Sequence, residues 1–80
     1  MLVKLVGGND CAVVVKIHKA NLPVEGQRFV VPNTVVSAEY GGESLVGMDL
    51  RVVTGYISLH NGYTIRTFAV DFDLWNPPVA

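Results

Sequence analysis

The sequence predicts an all-β fold: one small, mostly antiparallel domain of about five or six strands. Three observations predict it. The apolar residues are mainly Val, with Ile, Phe and Tyr, side chains that suit a pleated, half-buried surface better than a helix. Glycines at positions 7–8, 26, 41–42 and 62, with prolines at 23, 32 and 77–78, cut the chain into short runs. Asn61-Gly62, the dipeptide preferred in a two-residue type I′ turn, separates two long alternating runs. Short runs at such spacing point to a small antiparallel sheet or an SH3/OB-like barrel.

Residues 2–6 form the first strand and residues 11–18 the second, joined by Gly7-Gly8-Asn9-Asp10. With Gly8-Asn9 at the turn centre, Val6 falls opposite Cys11, Lys4 opposite Val13 and Leu2 opposite Val15. Val3, Leu5, Ala12 and Val14 then share the other face. Both faces are apolar, so this hairpin is expected to be covered on both sides, as a central element or an oligomer contact.

Residues 19–26 read as a loop around Pro23, followed by a strand at 27–31. Pro32-Asn33 interrupts the ladder, because proline has no N–H to donate. Residues 34–40 alternate again, with Val36, Ala38 and Tyr40 on one face and Ser37 and Glu39 on the other. Residues 41–44 make the next turn. Gly47 marks a bulge or a strand start, with one helical turn over 43–48 as the alternative.

The C-terminal hairpin, 50–60 with 63–75, carries the strongest local signal. Pairing His60 with Tyr63 sets Val53, Gly55, Ile57 and Leu59 against Val70, Phe68, Arg66 and Thr64. Phe68 can thereby cover the strand glycine Gly55. The opposite face carries Thr54, Tyr56, Ser58 and His60 against Ala69, Thr67, Ile65 and Tyr63. A slip of one residue would exchange these faces, so the register is well specified. Residues 1–75 are expected to form one β domain, and Asn76-Pro77-Pro78 opens an extended tail over 76–80.

Eighty residues bury only about 60% of the unfolded chain's surface. Half of the residues are hydrophobic and 16% are charged, so there is little charge to cover a large relative surface. Homo-oligomerisation, or docking on another protein, is the expected consequence. The net charge is −1 and no two of the six basic residues are adjacent. That pattern argues against nucleic acid, whose binding needs several cations on one face. The N-terminus lacks the apolar core of a signal peptide, and no apolar run is long enough to span a membrane. The expected setting is therefore cytoplasmic, with no membrane partner.

Enzyme templates fail by count. The chain has two histidines, His18 and His60, and one cysteine, Cys11, which allows neither an intrachain disulfide nor a Cys-based metal cage. Cys11 adjoins a Val-rich strand, where a free thiol behaves as a small hydrophobe. No phosphate-binding glycine signature is present, and Gly7-Gly8 and Gly41-Gly42 are explained by turns. Asp71 and Asp73 share a strand face, where carboxylates protect a sheet edge. No catalytic residue, metal or cofactor is implied.

The candidate binding residues are Tyr56, His60, Tyr63, Arg66 and Trp75. Tyr56, His60 and Tyr63 project from one hairpin face with Ser58 and Thr67, a surface suited to stacking or to anchoring a protein. Arg66 lies on the otherwise apolar face, where its guanidinium needs a partner or a route to water. Trp75 either caps the barrel end or anchors an interface. The leading expectation is a non-enzymatic interaction protein, resembling in kind the small inhibitors and accessory subunits of phages and mobile elements. The alternatives are a nucleotide-like small-ligand binder with a pocket at an oligomer seam, also drawing on Arg51, and a single-stranded nucleic-acid barrel.

Overall fold

The computed structural model describes residues 1–7, 12–39 and 45–71. The fold is all-β, a single curled sheet of six strands forming a half-barrel. The strands are β1 (Leu2–Val6), β2 (Ala12–Lys16), β3 (Arg28–Val30), β4 (Val35–Glu39), β5 (Asp49–His60) and β6 (Tyr63–Asp71). Their order across the sheet is β3-β5-β6-β1-β2-β4. All neighbours are antiparallel except β1 and β6, which run parallel and pair Leu5 with Phe68.

The inner face of the sheet holds the core. Val3 and Leu5 of β1, Val13 and Val15 of β2, Leu50 and Val52 of β5, and Phe68 and Val70 of β6 are all buried in one cluster. Burying each such side chain stabilises the fold by about 1.5–3 kcal/mol. Val31, Leu45 and Met48 join the cluster from the segments flanking β3 and β5. The Val31 N–H donates to the Met48 carbonyl and the Gly47 N–H to the Val31 carbonyl. Gly47 has φ +83°, so it serves as a turn residue just before β5. The part of the anticipated 43–48 turn before Leu45 lies outside the described residues.

The first hairpin corrects the sequence register by one residue. Val6 faces Ala12, Leu5 faces Val13 and Lys4 faces Val14, so five residues rather than four separate the innermost pair. The physical reason is the core. This register turns Val3, Leu5, Val13 and Val15 inward together, whereas the expected one would have put Val3 and Leu5 on the face of Ala12 and Val14, separating them from the larger pair Val13 and Val15. The apolar outer positions of β2 are nonetheless covered, since Ala12 and Val14 are buried as well, and β1 and β2 are interior strands. The expected Gly8-Asn9 turn and Cys11 lie outside the described residues, as do Tyr40 and the turn at 41–44.

Two β-bulges account for the other departures. The ladder between β2 and β4 shifts so that Val14 faces Ser37 and Val15 faces Val35, which leaves Val36 as the extra residue, exposed. In β5 the ladder shifts between Val52 and Thr54. Val53, expected opposite Val70, is the extra residue and is exposed, while Val52 takes its place in the core. A bulge sets two residues against one and so reverses the in-out alternation along the strand.

From Thr54 to His60 the long hairpin has the register the sequence predicts, including Gly55 opposite Phe68 and His60 opposite Tyr63. Asn61 and Gly62 have φ +50° and +83°, as a type I′ turn requires. Nothing lies within 4 Å of a Cβ built on Gly62, so the effect of a substitution there is confined to the backbone. Gly62→Val is expected to cost about 1–2 kcal/mol in urea unfolding, with Gly62→Asn losing less. Equal losses for the two variants would refute the backbone account.

Candidate binding surface on the hairpin arm

The site arises from a mismatch of strand lengths. β3 pairs with β5 only from Asp49 to Arg51, with a further exchange between Val52 and the Gly26-Gln27 backbone. β6 accompanies β5 to its end, while β1 pairs with β6 from Arg66 to Ala69. The far half of the hairpin therefore extends past its neighbours as an arm.

On the outer face of the arm the three aromatic candidates come together as predicted. Tyr56 faces Thr67 and His60 faces Tyr63. Ser58 and Thr67 share a hydroxyl–hydroxyl hydrogen bond, and the Thr67 hydroxyl also donates to the Ile65 carbonyl. Thr67 is buried beneath this surface. Lys4 of β1 brings its Nζ to 3.4 Å from His60 Nδ1, placing a cation beside the imidazole. Tyr56 is 45% exposed and Tyr63 76% exposed. The four-residue offset between them spans about 13 Å along the strand. They form two separate contact points rather than a clamp around one flat ring.

The inner face of the arm was not singled out by sequence reasoning. Ile57 and Leu59 continue the face that holds Phe68 and Val70, but they lie beyond the core and are 61% and 74% exposed. A groove of about 350 Å³ opens beside Ile57, lined also by Pro23, Val24, Glu25, Gly55, Arg66 and Phe68, among others. Arg66 faces Ile57 across the ladder and is exposed, so its guanidinium reaches water. It stands on the face opposite Tyr56, His60 and Tyr63, and Arg51 lies farther along opposite Asp71. The residues considered for a nucleotide pocket are thus divided between the two faces. The overhang arises because a strand of twelve residues lies beside one of three, a pairing with no local signal in the sequence.

The remaining candidates have local explanations or lie outside the described residues. His18 Nδ1 accepts a hydrogen bond from the Ala20 N–H and caps a 3₁₀ turn at Lys19–Asn21. Trp75, Asp73 and the 76–80 tail lie outside the described residues. Among the described residues, no three His, Cys, Asp or Glu side chains gather as a metal site, and no helix is long and apolar enough to cross a membrane. Comparison with known protein families, curated proteins and solved structures gave no match.

Proposed function

We propose that this chain is a non-enzymatic interaction protein, a small β domain that self-associates and binds a protein partner through its hairpin arm. The observation that carries the reading is the exposure of large apolar and aromatic side chains on both faces of one arm: Tyr56 and Tyr63 on one, Ile57 and Leu59 on the other. Aromatic side chains bring large contact area at low entropic cost, and clustered exposed apolar groups mark interaction surfaces. By analogy of size and composition, an inhibitor or accessory subunit of the type carried by phages and mobile elements fits best.

Two measurements test the reading. Light scattering on the purified chain is expected to give a mass above the 8.7 kDa monomer. A photoreactive phenylalanine analogue replacing Tyr63 is expected to form a discrete protein adduct in cells, weakened at least about fivefold by Tyr56→Ser, as for loss of an interface contact. A strict monomer with no adduct that depends on Tyr56 would refute the reading.

A further inference from the structure

The open edge of β5 specifies more than an exposed patch. His60 and Tyr63 flank the two-residue turn and form a hydrogen-bonded pair,. Alternation along an antiparallel ladder then directs the Ser58, Tyr56 and Thr54 backbone toward β6. It turns the N–H and C=O groups of Leu59, Ile57 and Gly55 to the opposite edge. Among the described residues no strand pairs with that edge beyond Arg51, and the backbone exchange with Gly26 and Gln27 ends at Val52. Such edges are normally guarded by charged side chains or proline, yet positions 53–65 contain no Asp, Glu, Lys, Arg or Pro.

Resting on the reading that the chain self-associates, we propose that two copies pair through this edge of β5, antiparallel about a two-fold axis at Ile57. An isologous contact must be self-complementary, and this segment is. Centred on Ile57, the pairing sets Ile57 against its own counterpart, Gly55 against Leu59, Tyr56 against Ser58 and Thr54 against His60. Each outward N–H and C=O of Gly55, Ile57 and Leu59 then meets an acceptor or donor on the other copy.

The groove supplies the second, independent argument. It lies beside Gly55 and Ile57 and is walled by Pro23, Val24 and Phe68. In the proposed register the side chain delivered opposite Gly55, on the same face, is Leu59 of the second copy. Gly55 brings no side chain of its own, and Leu59, the more exposed of the two apolar side chains on this face of the arm, enters the groove against Pro23, Val24 and Phe68, with the charged Glu25 and Arg66 also in its lining. The contact occurs twice, once in each copy. The partner is a second copy rather than an unrelated strand because the donor of the filling side chain and the acceptor groove lie on one segment at matching distances from Ile57.

Sedimentation equilibrium of the full chain from about 1 to 200 µM, the range that resolves micromolar affinity, tests the proposal. The wild type is expected to dimerise, and Ile57→Lys to weaken the dimer at least about 100-fold by placing two ammonium groups at the axis. Ile57 is largely exposed, so circular dichroism should report an intact fold. In a Cys11→Ser background, Ile57→Cys is expected to oxidise readily to a disulfide-linked dimer, since directly paired Cα atoms stand about 5.5 Å apart. Leu59→Cys should not, because its counterpart lies about 13 Å away along the strand. A dimer insensitive to Ile57→Lys, or equal cross-linking at positions 57 and 59, overturns this interface while leaving self-association standing. A monomer at every concentration overturns both, including where another protein's strand occupies the edge.

Discussion

Replacing Phe68 with alanine is expected to cost about 3–5 kcal/mol of folding stability, the range for deleting a buried aromatic ring. Phe68 sits at the centre of the sheet, buried between Gly55 of β5 and Leu5 of β1 in the ladder. A domain this small rarely holds more than about 3–5 kcal/mol in total. Urea unfolding monitored by circular dichroism should therefore find the variant largely unfolded without denaturant, whereas Phe68→Leu should remain folded. A loss below about 1 kcal/mol, the level of an ordinary surface substitution, would contradict the assigned core.

The same ring has a specific partner, which makes the prediction sharper. A Cβ added to Gly55 would stand 3.1 Å from the Phe68 ring, tighter than ordinary van der Waals contact, so the glycine gives the ring room to lie across the strand. Gly55→Ala should be costly in the wild type and less so, or favourable, when residue 68 is already alanine. That change of sign or size is the coupling a double-mutant cycle measures between residues in contact.

How much of this was legible in the sequence depended on whether the signal was local. Asn61-Gly62 fixes a two-residue turn, and pairing outward from it gave the ladder correctly from His60 to Thr54. The prediction failed at Val53 because a bulge adds one residue without changing composition. A second bulge, at Val36 in β4, was equally invisible in composition. In the first hairpin, the register counted outward from Gly8-Asn9 was one residue off, and the ladder instead puts Val3, Leu5, Val13 and Val15 together on the buried face. The exposed aromatic face of Tyr56, His60 and Tyr63 followed from alternation alone. The overhanging edge of β5 did not, because it depends on where neighbouring strands stop.

The pairing of the first strand with the last had no local signal at all, and it makes Leu5 the second sensitive position. β1 joins β2 and β4 to the β3-β5-β6 group through the parallel ladder from Val3 to Val6. Leu5 is fully buried and faces Phe68 on one side and Val13 on the other. Leu5→Ala is expected to lose about 2–5 kcal/mol, and to do so mainly by weakening this seam. Non-local contacts are reached late, after loop-closure entropy has been overcome. The variant should accordingly unfold faster with a smaller change in refolding rate. Hydrogen exchange should show β1 and β2 losing protection before the β5–β6 hairpin, which retains its own turn and ladder. Simultaneous loss across all six strands would mean that the seam is no weaker than the rest of the sheet, and that the half-barrel opens as one unit.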